Sequence, residues 1–198
     1  EQRLDELLDL VAMGTVADMM SVLGENRYLV KYGLKLINTA PRPGVREMIT
    51  RAGLSVGGVR SEDISWVIAP RLNAAGRLAD AMMSYELMMT TSVAEARELT
   101  ALLEQKNVER QRLTTSALAK AREQVLTQGI TPFLMASDED FPAGIAGIVA
   151  GRLAEEFYRP AAVVKVGERV SSGSCRSIPE FNIINALSQC SNLLLRFG

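Results

Sequence analysis

Histidine is absent from this sequence of 198 residues. Without an imidazole, the chain by itself has no Ser-His catalytic pair and no histidine ligand for zinc or manganese. Any hydrolysis that the chain carries out alone would therefore depend on carboxylates and water.

Cysteines and long apolar runs are also scarce. Cys175 and Cys190 have no metal-ligand spacing, and they predict inert or buried thiols in a reducing compartment. No apolar run approaches the roughly 18 residues of a membrane span, and the acidic, polar start is unlike a signal peptide. We therefore expect a cytoplasmic protein without a membrane segment.

The sequence has no excess of positive charge. Its net charge is −1, and aromatic residues make up only 5% of it. Neither a broad basic face for nucleic acid nor a continuous stacking platform for bases is evident. A phosphate site would have to be local, built from a few arginines and backbone amides.

The apolar pattern of the first part predicts one buried strand followed by helices. The strand is expected over 7–16, and the helices over 26–38 and 45–52, with a further helix start at 61–64 and a helix around 82–88. The longest helical pattern covers 92–128, from Ser92, with Glu95 completing a capping box, to Gly129. A helix of that length spans roughly 55 Å and suits a connector between two domains.

Beyond Gly129 the pattern changes to alternating strands and helices. Strands are predicted over 133–136 and 161–166, a third strand or a turn over 171–176, and helices over 144–157 and 183–195. Such alternation predicts crossover connections on a sheet, and hence an α/β fold class.

Asp18 is the first candidate site residue. It follows the predicted strand and the pair Gly14 and Thr15. A carboxylate at the carboxyl end of a strand lies where open α/β sheets bind ligands, and its hard oxygens suit Mg²⁺ or Mn²⁺. An aspartate that caps the next turn would give the same pattern, so the residues alone leave both interpretations open.

Two further segments combine polar side chains with small residues. PRLNAAGR brings Arg71, Asn73 and Arg77 within seven residues, and two guanidinium groups can hold a phosphodiester. A helix N-terminus with Asn73 as its cap, and with the arginines in solvent or in ion pairs, is the alternative. SSGSCRS would place Ser174 and Arg176 on one side of an extended segment, either as a phosphate pocket or as a polar hairpin.

The glycines of FPAGIAGIVA, residues 141–150, open the predicted helix over 144–157. Backbone amides at a helix start can bind an anion. More often such glycines let a helix pack closely on its sheet, and we favour packing here.

Six segments in this order resemble the RecJ family of single-strand-specific DNA exonucleases, within the DHH phosphoesterase superfamily. They are GTVAD, ENRYLVKYGL, APRLNAAGRL, GIAGIVAGRLAEEFYRP, GSCRSIPEFNI and LLLRFG, and together they extend over essentially the whole chain. The resemblance implies the end of a DHH domain over 1–91, a connector helix over 92–129, and a smaller α/β DHH-associated domain over 130–198, truncated at its C-terminus.

The resemblance also implies an activity and residue roles. It implies 5′ to 3′ hydrolysis of single-stranded DNA in repair and recombination, with water activated at a two-metal site of Mn²⁺ or Mg²⁺. Asp18 would be a catalytic metal ligand. Arg71, Asn73 and Arg77 would bind DNA near the scissile phosphate, and Ser174 and Arg176 would hold the 5′ phosphate.

The sequence departs from the family pattern in three places. The earlier aspartate motifs and the Asp-His-His triplet are absent, as is the Gly-Gly-His stretch expected after LLLRFG. Phe141, Pro142 and Ala143 replace a Trp-His-Pro that many relatives carry, so no histidine role can be transferred there. We therefore expect a fragment that is catalytically inactive alone, with most of the metal site outside it.

The resemblance also implies binding partners, and two other functions remain as alternatives. The implied partners are single-stranded DNA with a 5′ end, a helicase and a single-strand-binding protein, and a monomer is expected. The rival enzyme is another DHH-type phosphoesterase that acts on oligonucleotides or cyclic dinucleotides. The rival from another class is a non-catalytic replication-scaffold relative.

Overall fold

The computed structural model describes residues 4–198, and the side chains from residue 5 onward. A 3₁₀ turn over Leu4–Leu7 precedes the helices of the first part. They are α1 (Leu8–Ala17), α2 (Gly24–Thr39), α3 (Pro43–Arg51), α4 (Ser61–Asp63), α5 (Ala69–Leu78), α6 (Met82–Met89) and α7 (Val93–Gln128). The second part contains β1 (Leu134–Asp138), α8 (Ala143–Phe157), β2 (Ala161–Lys165), β3 (Ser172–Arg176) and α9 (Ile183–Gln189), then a 3₁₀ turn over Ser191–Leu193.

The chain packs as two compact units that divide inside α7, the first ending at Glu109 and the second running from Arg110 to Gly198. The long helix is therefore shared: its first half belongs to one core and its second half to the other. The predicted three-part division into 1–91, 92–129 and 130–198 stays a prediction.

The predicted strand over 7–16 is wrong, because the structure has α1 there. The buried residues are Asp9, Ala12, Met13 and Val16, at the spacing of one helical face. Against that face lies Gly33 of α2, where an added Cβ would come within 2.1 Å of the Leu8 carbonyl oxygen. A short apolar run in a sequence fits a buried strand and a buried helix equally well. In the structure, the close packing of α1 on α2 at Gly33 identifies the segment as a helix.

The helices predicted around α2, α3 and α6 are confirmed. Their apolar side chains form the core of the first unit, together with Ala96 and Leu103 from α7. This core fixes α1 and α5, the two helices on which the candidate residues of the first unit lie.

A π-helical segment over Ile64–Ile68 joins α4 to α5. The amide of Ala69 donates to the carbonyl of Ile64, five residues back. Pro70 follows and has no amide hydrogen, so a regular α-helical pattern would be interrupted at this point. The wider turn allows the helix to continue through the proline into PRLNAAGR.

Helix α7 confirms the long prediction over 92–128 and ends where Gly129 takes φ +85°. The predicted capping box is only half formed. The Glu95 amide donates to Ser92 Oγ at 3.3 Å, but the Glu95 carboxylate accepts from Thr90 Oγ1 instead. Within α7, Leu102 is exposed, while the polar residues Thr100, Asn107 and Thr114 are buried.

The second unit has a three-stranded sheet in the order β1-β2-β3, with β1 and β2 parallel and β2 and β3 antiparallel. Helix α8 makes the predicted crossover from β1 to β2 and packs against β2 and β3. In the antiparallel pair, Val163 faces Ser174 and Ala161 faces Arg176. The α/β fold class and the two strands predicted over 133–136 and 161–166 are confirmed, and the segment 171–176, predicted as a strand or a turn, is the strand β3.

The last predicted helix, over 183–195, is too long. The α-helix ends at Gln189, and the 3₁₀ turn follows. Both cysteines are free: Cys175 is half-buried, and burial raises the pKa of its thiol, whereas Cys190 is exposed. Among the described residues, no helix is both long enough and apolar enough to cross a membrane.

Candidate functional site

Asp18 lies at the carboxyl end of helix α1 and not at the end of a strand. Its amide donates to the Gly14 carbonyl at 3.0 Å. The next two amides, of Met19 and Met20, donate back to Val16 and Thr15, and Met19 takes φ +53°. This double closure is a Schellman motif, which holds the backbone around Asp18 in a defined turn.

The position gives the Asp18 carboxylate an electrostatic environment that favours cations. The side chain is exposed. It lies at the negative end of the helix dipole, where an anion is disfavoured and a cation is favoured. A carboxylate at this position gains from a bound cation, which is consistent with the predicted metal ligand and does not identify the metal.

Asn73 shares a cavity with the segment that precedes Asp18. The cavity, of about 190 Å³, lies within the first unit, mainly between α1 and α5. Gly14 and Ala17 line it from the GTVAD segment, and Asn73 lines it from PRLNAAGR. Its other lining residues are apolar. GTVAD and PRLNAAGR, which are far apart in the sequence, therefore line the same cavity.

Arg71 does not point to the same face of α5 as Asn73. Its Nε donates to Glu104 Oε2 at 2.6 Å, and its Nη1 donates to the Val67 carbonyl at 2.8 Å. The ion pair is partly buried, with 19% of the arginine side chain and 25% of the glutamate side chain exposed. Asn73 and Arg77 are four residues apart and so share a helix face, whereas Arg71 is directed to α7.

Ser174 and Arg176 share one face of β3, as predicted for an extended segment. An added Cβ on Gly147 of α8 would lie 3.0 Å from Arg176 Nη2 and 3.5 Å from Ser174 Oγ. Glycine therefore leaves room for the Arg176 guanidinium to lie directly against α8. The preference for packing over anion binding in FPAGIAGIVA is supported at Gly147.

Arg176 also lines a cavity of about 370 Å³ inside the second unit. Its Nη1 donates to the Cys175 carbonyl at 2.8 Å, which directs the guanidinium along the sheet edge. Glu155 and Tyr158 come from the end of α8, and Ser177, Ile178 and Pro179 come from the segment after β3. The hydroxyl of Tyr158 donates to Glu180 Oε1 at 2.8 Å, and this bond raises the pKa of the tyrosine.

The carboxylate that does follow a strand is Asp138, at the end of β1. It pairs with Lys120 at 2.6 Å and accepts from the Asp140 amide at 2.9 Å. The hydrogen bond from Lys120 is the main cause that lowers the pKa of Asp138 and raises the pKa of the lysine. This carboxylate is already engaged by a cation from α7, which is a structural role that the sequence did not signal.

A metal site cannot be assembled from the described residues alone. Among them, no group of three or more His, Cys, Asp or Glu side chains lies close enough together to hold an ion. The role of Asp18 as a metal ligand therefore stays a prediction, and a two-metal site would need ligands beyond any group that the described residues form.

The curated relatives most similar in sequence share one name. The chain is 38% identical over 197 residues to "Single-stranded-DNA-specific exonuclease RecJ" of Bacillus subtilis, covering 98% of this chain and 25% of the relative. It is 33% identical over 206 residues to the Escherichia coli protein of the same name, covering 98% of this chain and 36% of the relative. No family model matches the chain.

Solved structures agree with the sequence comparison. The Thermus thermophilus structure of RecJ in complex with Mn²⁺ superposes with a TM-score of 0.87 at 34% identity, over 98% of this chain and 29% of that one. A structure of exonuclease RecJ bound to manganese superposes with a TM-score of 0.80 at 33% identity, over 98% of this chain and 48% of that one. By sequence and by fold, the chain is similar to part of the RecJ exonucleases.

The relationship confirms the family resemblance and the α/β fold class. RecJ from T. thermophilus has been solved with Mn²⁺ and also with Mg²⁺. The chain spans about a quarter to a third of the length of the curated relatives named above. The roles of Asp18, Arg71, Asn73, Arg77, Ser174 and Arg176 stay predictions, since similarity along the chain does not test individual side chains.

Proposed function

We propose that this chain is part of a metal-dependent, single-stranded-DNA-specific 5′ to 3′ exonuclease of DNA repair and recombination. The similarity to RecJ exonucleases over 98% of the chain, at 38% identity to the B. subtilis protein, carries the proposal. The whole protein would be a phosphodiester hydrolase that uses Mn²⁺ or Mg²⁺, the two ions with which the related T. thermophilus RecJ has been solved.

Within that enzyme, the first unit would contact the reacting end of the strand. Asp18 would be a metal ligand, since a cation is favoured at the carboxyl end of α1. Asn73 and Arg77, on one face of α5, would contact the nearby phosphates. Arg71 would contact a phosphate only after its ion pair with Glu104 is broken. Because the carboxylate competes with the phosphate for the guanidinium, we expect Arg71 to contribute less to DNA affinity than Asn73 and Arg77.

The second unit would hold the 5′ end. Ser174 and Arg176 offer a hydroxyl and a guanidinium on one face of β3, and a guanidinium can bind a terminal phosphate through two hydrogen bonds. A fixed 5′ phosphate determines which phosphodiester lies at the metals, so the direction of degradation follows from where the end is held. We further propose a cytoplasmic monomer that acts with a helicase and a single-strand-binding protein.

The test measures Mn²⁺-dependent release of nucleotides by the intact protein from 5′-phosphorylated single strands and from a blunt duplex. We expect release from the single strand only, and its loss in Asp18→Asn with the circular dichroism spectrum unchanged. The 198-residue chain alone should release no nucleotides, because a single carboxylate cannot hold two ions.

Two outcomes would contradict the proposal. Cleavage of short oligonucleotides or cyclic dinucleotides in preference to long strands would indicate another DHH-type phosphoesterase. A wild-type protein without nuclease activity under these conditions would indicate a replication-scaffold relative.

A further inference from the structure

The cavity beside Arg176 has a shape and a lining that a terminal phosphate does not require. Its volume of about 370 Å³ lies in the range of small-ligand cavities, about 300–1,000 Å³. Arg176 is the one basic side chain among its lining residues, and Ala154, Ile178 and Pro179 provide apolar wall. Part of the cavity is therefore suited to an uncharged group next to the anion.

Tyr158 lines this cavity in an unusual backbone conformation. It ends α8 with φ 50° and ψ 51°, the left-handed conformation in which glycine or asparagine is usual. The residue is 53% exposed, so the ring does not gain core burial in return. A strained backbone that presents an exposed ring to a cavity is the kind of feature found at binding sites.

The tyrosine ring is held from the opposite wall. Its hydroxyl donates to Glu180 Oε1 at 2.8 Å, and Glu180 follows Pro179 in the segment after β3. The hydrogen bond to the Glu180 carboxylate raises the pKa of the tyrosine further above neutral, so the phenol is a hydrogen-bond donor in this contact. The hydroxyl end of the ring is thus linked to the segment after β3, and the ring and Arg176 line the same cavity.

The charges around the cavity select what enters it. Glu155 lines it and Glu180 lies beside it, so a second phosphate would be repelled there. Carboxylates instead accept hydrogen bonds from the amino groups of bases or the hydroxyls of sugars. A flat, uncharged group with hydrogen-bond donors, attached to a phosphate held by Arg176, meets all of these conditions.

We propose that Tyr158 and this cavity bind the 5′-terminal nucleoside of the DNA strand, while Arg176 holds its 5′ phosphate. This inference rests on the proposed function. The terminal base stacks on the tyrosine ring against Ile178 and Pro179, while the phosphate lies on the other side of Arg176, toward Ser174. Aromatic stacking tolerates any base, so the subsite would hold the strand end without reading its sequence.

The test compares Tyr158→Gly with the wild type in the intact protein, in binding assays without divalent metal. The probes are 5′-phosphorylated single strands of equal length, one with a normal 5′ nucleotide and one with an abasic 5′ sugar. We expect Tyr158→Gly to bind the normal strand about 5- to 150-fold more weakly, the span of a lost base stack, and the abasic strand as the wild type does. Tyr158→Phe should lose less than about threefold, because the ring remains.

Glycine suits the left-handed conformation, so the Tyr158→Gly protein should have an unchanged or higher melting temperature. Equal affinities of Tyr158→Gly and wild type for the normal strand, or equal losses on both strands, would overturn the subsite. A wild type that does not prefer a 5′ phosphate to a 5′ hydroxyl would overturn the proposed 5′-end pocket and the subsite together. A wild type with that preference, but insensitive to Tyr158, would overturn the subsite and leave the proposed function intact.

Discussion

Arg42 and Asp9 form a two-point ion pair inside the first unit. The arginine Nε lies 2.5 Å from Asp9 Oδ2, and Nη2 lies 2.8 Å from Asp9 Oδ1. The same guanidinium donates to the carbonyls of Glu6 and Met88. Only 2% of the aspartate side chain is exposed, so this arginine ties the start of α1 to the end of α6.

Arg42→Met should therefore strongly destabilise the first unit, because it leaves the Asp9 carboxylate buried without its cation. We expect a loss of about 3–5 kcal/mol in the free energy of unfolding, measured by urea denaturation. Arg97→Met is the matched control: Arg97 lies 3.5 Å from Glu47 and is 70% exposed, so it should cost less than about 1 kcal/mol. Equal effects of the two substitutions would contradict the structural role of the buried pair.

The same ion pair explains why the sequence predicted a strand where the structure has α1. A nearly continuous apolar run, interrupted by Asp9, fits a buried strand as well as a buried helix. The decisive partner, Arg42, lies 33 residues away and is not marked by any local pattern. The helices α2, α3 and α8 were predictable because their own periodicity or their glycine and proline boundaries identify them.

The candidate site was predictable in part for a similar reason. The period of two along β3 correctly places Ser174 and Arg176 on one face. In contrast, PRLNAAGR looks like one cluster in sequence, but the helical turn directs Arg71 away from Asn73 and toward Glu104. Tyr158 gave no signal, because a left-handed backbone at a tyrosine follows from tertiary packing.

Gly147→Ala should weaken recognition of the 5′ phosphate without unfolding the protein. The new Cβ would lie 3.0 Å from Arg176 Nη2, and the flexible arginine would move aside at little cost in stability. Alanine in place of glycine favours the helix by up to about 1 kcal/mol, so the melting temperature should hold or rise. We expect the preference for a 5′ phosphate over a 5′ hydroxyl to fall about five- to tenfold in a binding assay.

Gly151→Ala is the matched control for that substitution, since its Cβ would lie at an ordinary 3.8 Å from Arg176 Cγ. The two variants share the helix and the change in propensity, but only the Gly147 Cβ would come as close as 3.0 Å to the Arg176 guanidinium. An unchanged phosphate preference in Gly147→Ala would argue against Arg176 as the phosphate ligand.

Asp138→Asn should lower stability in a pH-dependent way. Lys120 holds the pKa of Asp138 below its usual 3.8 in the folded state, so the pair stabilises the fold above that pH. The stabilisation is lost as pH falls through the lowered pKa, because the native carboxylate then takes up a proton. The melting temperatures of wild type and variant should therefore differ at about pH 6 and converge below about pH 3.

The neighbouring Glu139→Gln removes one negative charge from the same exposed loop and serves as the control. It should show no comparable convergence, since the Lys120 bond is retained. A difference between wild type and Asp138→Asn that persists unchanged at about pH 2 would mean that the pair does not control this stability.

Glu104→Gln should strengthen the binding of single-stranded DNA, because it removes the carboxylate that competes with phosphate for Arg71. The pair is partly exposed, so its disruption should shift the dissociation constant by about two- to fivefold at low salt. The gain in affinity should disappear when Arg71 is also replaced by alanine, and it should shrink as salt screens the phosphates.

Glu109→Gln, which loses the pairing with Lys106 instead, controls for the general loss of a negative charge on α7. If Glu104→Gln bound DNA no better than Glu109→Gln, Arg71 would be a structural residue that fastens α5 to α7, and the strand would depend on Asn73 and Arg77.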